Sequence, residues 1–130
     1  MALSLAEYPI HLGRGGSAVS QPAFTGAEWY EDYGNRTAAD GAEGRLVGLH
    51  SFTADWGSWE RHPAGEEVVV CVSGAITLHQ ELADGSTASV NLGAGEYAIN
   101  PPGVWHTADI ADQATCLFIT PGLGTENRPR

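Results

Sequence analysis

Apolar runs in this chain are short, and Gly, Pro, Asp or Ser ends nearly every one of them. The 130 residues include 17 Gly and 7 Pro. No stretch keeps a 3.6-residue apolar period long enough for a good helix. About seven or eight short strands at close spacing are typical of a sandwich or barrel, so the pattern predicts an all-β domain.

The sequence changes in character at residue 45. Residues 1–44 are irregular and rich in Gly, Ala and Ser, so we expect an N-terminal arm with at most one short strand, packed on the barrel. Residues 45–121 carry the predicted strands, and residues 122–130 form a Gly- and Pro-rich tail. No internal repeat or linker divides the chain, which predicts one domain in all.

Acidic residues dominate the charge of the chain. There are 16 acids against 6 bases, all of them Arg, and the formal net charge is −10. A phosphate backbone or an anionic membrane would be repelled, so we expect neither nucleic acid nor membrane as a partner. The first residues lack the basic start of a signal peptide and no apolar span is long enough for a bilayer, which favours a cytoplasmic protein.

The two cysteines both lie inside apolar runs, VVVCVSG and ATCLFITPG. Such surroundings are typical of buried, reduced thiols that act as small hydrophobic side chains. An alternative is that Cys71 is an inward neighbour of a polar site, where its sulfur would tune that site or be oxidised.

The stretch WERHPAGEEVVV, residues 59–70, gathers acids and a histidine in front of a strand. Because side chains alternate along a strand, Glu60 and His62 share one face, and only one of Glu66 and Glu67 can join them. His106 follows a rigid Pro-Pro-Gly corner that can aim it at the same place. Two imidazoles and two carboxylates suit one divalent transition metal, such as Fe, Mn, Ni or Zn.

These stretches resemble the two sequence motifs of the cupin superfamily. Four residues separate His62 from Glu67 and six separate Glu67 from Gly74, as in the first motif. Gly95, five residues, Pro-Pro-Gly, two residues and His106 match the second. The resemblance runs from about residue 45 to 121 and extends to small single-domain bacterial cupins.

The resemblance implies a double-stranded β-helix, a jelly-roll barrel of two antiparallel sheets. It also implies that His62, Glu67 and His106 are metal ligands, and its spacing selects Glu67 over Glu66. Glu60 stands where cupins usually have their first histidine, and Ala54 and Ile110 replace the expected Gly and Asn. Cupins that have lost the metal and kept the fold exist, so Glu60 is either a fourth ligand or the sign of a site without a cation.

The leading hypothesis is a metal-dependent enzyme that acts on a small oxygen-bearing molecule by dioxygenase-type or isomerase- or lyase-type chemistry. A carboxylate that leaves the metal could be the general base, and Glu60 is the better candidate. We expect Trp56 and Tyr97 to line the substrate pocket. The alternative is a non-catalytic cupin that binds a small molecule without metal.

Two further expectations concern the remaining residues. Val68, Val70 and Val72 alternate opposite to Glu67, so the outer face of that strand is apolar and predicts a homodimer. His11, His50 and His79 are expected to be surface or strand residues without a role in the site.

Overall fold

The computed structural model describes residues 1–130. One α-helix, α1 (Ala27–Arg36), and two short 3-10 segments (Arg14–Gly16 and Ala38–Glu43) precede the main body. No helix is long and apolar enough to cross a membrane. The strands are β1 (Ile10–Leu12), β2 (Ala18–Ser20), β3 (Arg45–Phe52), β4 (Ser58–Arg61), β5 (Glu67–Glu81), β6 (Thr87–Gly93), β7 (Tyr97–Asn100), β8 (His106–Asp109), β9 (Ala114–Thr120) and β10 (Glu126–Pro129).

The strands form two antiparallel sheets that share β5. One sheet has the order β2-β1-β3-β9-β5-β7, and the other has the order β10-β4-β8-β5-β6. Inward-facing side chains from both sheets fill the space between them, as in other closed β architectures. The predicted jelly-roll barrel of two antiparallel sheets is confirmed.

The strand β5 is longer than the sequence suggested. Short strands were expected throughout, whereas Glu67–Glu81 form one continuous strand of 15 residues. Gly74 allows the chain to pass from one sheet to the other because it adopts φ of +74°, and a Cβ at this position would lie 2.1 Å from the carbonyl oxygen of Gln113. The pairing register with β9 shifts between Cys71 and Ser73, next to this glycine.

The hydrophobic core lies between the two sheets. Cys71 and Cys116 face each other across β5 and β9, and both are free, fully buried thiols. Burial raises the pKa of Cys116 to about 12, so this thiol is unreactive. Ten buried residues make up the core: Val69, Cys71, Ile76, Leu78, Leu92, Ala108, Ile110, Ala114, Cys116 and Phe118.

The N-terminal arm is more ordered than expected. Strands β1 and β2 extend the first sheet beyond β3, and α1 buries Trp29 and Tyr33, whose rings stack at 5.3 Å. The prediction that no helix forms was wrong because two aromatic residues four positions apart are too short a pattern to show a period. His11 was expected on the surface or in a strand without a role, and it is a buried strand residue that contacts the Tyr33 hydroxyl and Asp40 at 2.6 Å each.

The C-terminal segment also contains a strand. β10 pairs with β4, so that Asn127 lies opposite Glu60 and Glu126 lies opposite Arg61. The guanidinium of Arg128 lies 4.4 Å from the ring centre of Trp105, a cation–π contact that fixes the strand on the barrel. The end of the chain is thereby brought beside the polar residues of β4.

Candidate metal centre

Three strands bring the predicted ligands together. His62 directly follows β4, Glu67 begins β5 after the Pro-Ala-Gly turn, and His106 begins β8. Glu60 on β4 is the direct partner of His106 on β8. The site is therefore assembled from strand ends, where the backbone is held by the ladder and the side chains have defined directions.

His62, Glu67 and His106 form a compact buried cluster. The Nε2 atoms of His62 and His106 lie 3.2 Å from Glu67 Oε2 and Oε1, respectively. The three side chains are at most 5% exposed, and one ligand atom of each lies within 4.8 Å of the others. This cluster could hold a metal ion.

The hydrogen bonds of the two imidazoles determine where their lone pairs lie. The Thr125 hydroxyl donates to the Gly122 carbonyl at 2.9 Å, so it accepts from His62 Nδ1–H at 2.8 Å. His106 Nδ1–H donates to the Val104 carbonyl at 3.3 Å, since a carbonyl can only accept. In the neutral rings, both Nε2 atoms therefore carry a lone pair that faces Glu67.

The carboxylate of Glu67 is held from the side away from the histidines. Asn100 Nδ2 donates to its Oε1 at 3.0 Å, and the Thr120 hydroxyl donates to its Oε2 at 2.6 Å. Burial alone would raise the pKa of Glu67, but its close contacts with His106 and His62 outweigh burial and hold that pKa well below its usual range. Glu67 is consequently an anion at neutral pH.

The chain leaves three buried side-chain polar atoms without a hydrogen-bond partner: His62 Nε2, His106 Nε2 and Trp56 Nε1. Two of these atoms belong to the cluster, and their 3.2 Å contacts with Glu67 lack hydrogen-bond geometry. Buried polar groups are nearly always paired, and an unpaired one costs about 1–3 kcal/mol. Two imidazole nitrogens and one carboxylate directed at one another fit a divalent cation between them, which both rings would bind in their neutral form.

Glu60 lies near this cluster but is not one of its members. It is absent from the group whose ligand atoms all lie within 4.8 Å of one another. Burial, and then the charge of Glu67, raise the pKa of Glu60 above its ordinary value, against the opposite influence of His62 and His106. The carboxyl of Glu60 is therefore protonated more readily than an exposed carboxyl.

The two predicted pocket residues lie in different places. Trp56 is partly buried against the core, with its ring centre 6.3 Å from that of His106. Tyr97 is 64% exposed and lies opposite Val70 on the outer face of the first sheet. The structure therefore brings Trp56 to the cluster and leaves Tyr97 outside, because Tyr97 has the parity of Val70 and not that of the buried Val69.

Several residues around the cluster were not predicted from the sequence. Asn100 and Thr120 hold Glu67, and Thr125 holds His62. Gln80 donates to Asn100 Oδ1 at 2.8 Å, which directs the Asn100 amide towards Glu67. Because Asn100 directly precedes the Pro-Pro-Gly corner, the alternation of side chains along the strand could have predicted that it faces inward. No sequence pattern around Thr125 indicates its contact with His62.

Residues of the arm also come near the site. Phe24 lies 5.4 Å from Tyr30 of α1 and 5.3 Å from His50, measured between ring centres. Tyr30 is 45% exposed, and its partial burial raises its pKa, which the negative charges of Glu60 and Glu67 raise further. The helix thus places a phenol within the electrostatic influence of both carboxylates.

Two surface cavities, each of about 370 Å³, lie away from the cluster. One is between residues 42–45 and the turn around Gly65, and the other is between the end of α1 and β2. Neither cavity is lined by a buried polar atom without a hydrogen-bond partner, whereas two of the three such atoms belong to the cluster. The volume of a cavity alone therefore does not identify the candidate site in this barrel.

Comparisons with known proteins agree on the architecture. No family model matches the sequence, and no curated protein matches it either. Among solved structures, hydroquinone 1,2-dioxygenase from Sphingomonas sp. TTNP3 with 4-hydroxybenzoate bound is 16% identical, with a TM-score of 0.50 over 58% of this chain and 58% of that one.

Two further structures cover more of the chain. Oxalate oxidase in complex with glycolate is 16% identical, with a TM-score of 0.55 over 63% of this chain and 45% of that one. Bacillus subtilis oxalate decarboxylase, described with Mn(II) centres, is 16% identical, with a TM-score of 0.56 over 74% of this chain and 26% of that one. This chain thus spans between about a quarter and three fifths of these proteins. The chain has the double-stranded β-helix fold of the cupins.

Proposed function

We propose that this protein is a metal-dependent enzyme that acts on a small oxygen-bearing organic molecule. One observation carries the proposal: two buried imidazole nitrogens without a hydrogen-bond partner face one buried carboxylate. His62, Glu67 and His106 would hold one divalent transition metal. When bound, such a metal polarises a substrate oxygen and, if it is redox-active, exchanges electrons.

The two imidazole nitrogens and the carboxylate oxygen favour a divalent transition metal. Imidazole suits Zn, Cu, Fe and Ni, whereas carboxylate extends the range to Mn. The oxalate decarboxylase with the same fold has Mn(II) centres. Fe, Mn, Ni or Zn in this site would each be consistent with two nitrogens and one oxygen.

We infer the class of reaction from the structural neighbours. The structural neighbours are named as a dioxygenase, an oxidase and a decarboxylase, which favours oxygen or redox chemistry over isomerisation. Because one fold hosts many reactions, these names only suggest where substrates should be sought. Screening small carboxylates and phenols with the metal-loaded protein, and following oxygen consumption, separates oxygen-dependent from oxygen-independent turnover.

Glu60 is the residue we assign to proton transfer. Its carboxyl lies beside the ligand cluster without belonging to it, and burial favours its protonated form. A general base or acid must be near the reacting atoms without being held by the metal. Glu60→Gln should slow turnover at least tenfold and leave metal content unchanged, whereas loss of metal in this variant would assign Glu60 as a ligand.

The metal test uses untagged protein purified without added metal. Elemental analysis should find about one equivalent of Fe, Mn, Ni or Zn in the native protein, and almost none in His106→Ala. His79→Ala is the matched control, because His79 has both ring nitrogens hydrogen-bonded on another part of the barrel. Equal metal content in both variants would contradict the assignment of the site.

A second candidate is a small-molecule-binding cupin without metal. The observation that favours it is Glu60, which replaces the usual first histidine and leaves a cluster of three. Native protein without metal, which takes up none on dialysis and is stabilised by a small organic ligand, would favour this candidate over the enzyme.

We also propose that the outer face of the first sheet binds a second copy of the chain. Val68 and Val70 on β5 lie opposite Ile99 and Tyr97 on β7, and Ile99 and Tyr97 are 44% and 64% exposed. The face is flat and uncharged in a chain of net charge −10, so self-association there avoids its acidic surfaces. Sedimentation velocity at micromolar concentration should show a dimer, and a monomer would remove the proposal.

A further inference from the structure

The third buried atom without a partner is Trp56 Nε1, and it belongs to a tightly held residue. Trp56 lies between β3 and β4, and its backbone N–H donates to the Ala108 carbonyl at 3.0 Å. The Arg130 guanidinium donates to the Trp56 carbonyl at 3.0 Å. Both backbone polar groups of Trp56 therefore have partners, and its backbone is fixed.

The ring itself is also confined. It packs at 5.5 Å from Phe52 and 6.1 Å from Phe118, and it meets His106 edge-on at 6.3 Å, all measured between ring centres. These contacts place the indole next to a predicted ligand and hold its orientation. An N–H in such a position is prearranged for a partner that arrives from outside the chain.

The polarity of this atom differs from that of the other two. The Nε2 atoms of His62 and His106 offer lone pairs, whereas an indole N–H can only donate. A metal ion satisfies the two lone pairs and cannot satisfy the donor. The carboxylate of the cluster, Glu67, already accepts from Asn100 and Thr120. Trp56 therefore requires a separate acceptor atom beside the metal.

Resting on the proposed metal site, we propose that Trp56 donates a hydrogen bond to an oxygen of a small carboxylate bound there. A divalent ion held by Glu67 and two neutral imidazoles keeps a charge of about +1, which attracts a monoanion. A carboxylate offers one oxygen to the metal and a second to the indole. The near-complete burial of His62, Glu67 and His106 favours a ligand of few atoms.

The experiment uses the full chain, labelled with ¹⁵N and loaded with zinc, which is diamagnetic. Indole resonances are recorded while acetate or formate is added, and acetamide is the uncharged control. The Trp56→Phe variant identifies the Trp56 signal and removes the donor while keeping an aromatic ring. Trp59→Phe is the matched control. The Trp59 ring centre lies 5.3 Å from the Arg128 guanidinium, and the ring makes no contact with the ring of His62 or His106.

We expect acetate to move the Trp56 indole proton signal downfield and acetamide to move it much less. Trp56→Phe should bind acetate roughly tenfold to a hundredfold more weakly, as expected for loss of a hydrogen bond to a charged group. Zinc affinity should stay within about twofold in Trp56→Phe, because the indole is not a ligand. Trp59→Phe should match the native protein in both measurements.

The outcomes separate this inference from the proposed function. If native protein does not bind zinc, the metal-dependent function fails and the role of Trp56 fails with it. If zinc binds while acetate and formate leave the Trp56 signal unmoved, or bind Trp56→Phe as well as native protein, only the role of Trp56 is overturned. The unshifted signal is measured on native protein, so this result does not depend on whether the variant folds.

Discussion

Two histidine–carboxylate clusters in this barrel differ in how completely their nitrogens are paired. Inside, the Nε2 atoms of His62 and His106 face Glu67 without a hydrogen-bond partner. On the outer face of the second sheet, His79 bonds Ser89 Oγ through Nδ1 at 2.6 Å and Asp109 Oδ2 through Nε2 at 2.8 Å. Both nitrogens of the outer histidine have partners within the chain, whereas one nitrogen of each inner histidine has none.

The comparison shows that residue type alone does not make a metal site. Both clusters contain an imidazole within 3.2 Å of a carboxylate, and Arg130 further neutralises Asp109 in the outer one. What distinguishes the inner cluster is that Thr125 and Val104 take the Nδ1 hydrogens, so both Nε2 lone pairs converge. Second partners of histidines commonly determine which nitrogen can bind a metal.

The largest expected effect comes from removing the central carboxylate. Glu67→Ala should lower zinc affinity more than about 100-fold, beyond the range seen for loss of a hydrogen-bond partner of a ligand. Asp109→Ala, which removes the outer carboxylate, should leave zinc affinity unchanged. Calorimetric titration of both variants measures the difference, and a similar loss in each would show that the two clusters are equivalent.

Metal binding should stabilise the folded protein through the inner cluster only. Zinc at about 100 times its dissociation constant should add about 2.7 kcal/mol to the free energy of unfolding. For a chain of 130 residues, with an unfolding entropy of about 0.27 kcal/mol/K, the melting temperature should rise by about 10 °C. Thermal denaturation should show this rise in native protein and His79→Ala but not in His106→Ala; a rise in the last variant would place the ion elsewhere.

Thr125 should affect zinc affinity because its hydroxyl determines which ring nitrogen of His62 carries the hydrogen. Thr125→Val keeps the shape of the side chain but loses the acceptor for His62 Nδ1–H, so zinc affinity should fall about 10–100-fold. Thr125→Ser should restore most of the affinity because it keeps the hydroxyl. Unchanged affinity in the valine variant would mean that His62 does not need this partner.

The smallest expected effect concerns the outer cluster. Hydrogen bonds from Arg130 and His79 lower the pKa of Asp109, so its folded pKa lies below its unfolded pKa. Its contribution is therefore present above the unfolded pKa, about 3.9, and is lost as the pH falls through the folded pKa. Asp109→Asn should cost less than about 1 kcal/mol at pH 7, as surface pairs do.

Chemical denaturation at several pH values measures this contribution. The difference between native protein and Asp109→Asn should be constant from pH 7 to about pH 5 and should shrink in acid below that. A difference that grows as the pH falls would have the wrong sign for a carboxylate with a lowered pKa.

Strand alternation and the Pro-Pro-Gly corner act over few residues, so the sequence indicated a β architecture and a shared site for Glu60, His62 and His106. The resemblance to the cupin motifs added the double-stranded β-helix and the choice of Glu67 over Glu66. The role of Thr125 could not be predicted, because 63 positions separate it from His62 and only the pairing of β10 with β4 brings it near. The helix α1 was missed because tertiary burial of Trp29 and Tyr33, more than an intrinsic period, determines it.

Anomalous diffraction at the zinc absorption edge, from crystals grown with one equivalent of zinc, tests the central claim most directly. The account predicts one strong peak at about 2.0–2.1 Å from the Nε2 atoms of His62 and His106 and about 2.0–2.2 Å from a carboxylate oxygen of Glu67. A peak at His79 and Asp109, or none between the two inner histidines, would contradict it.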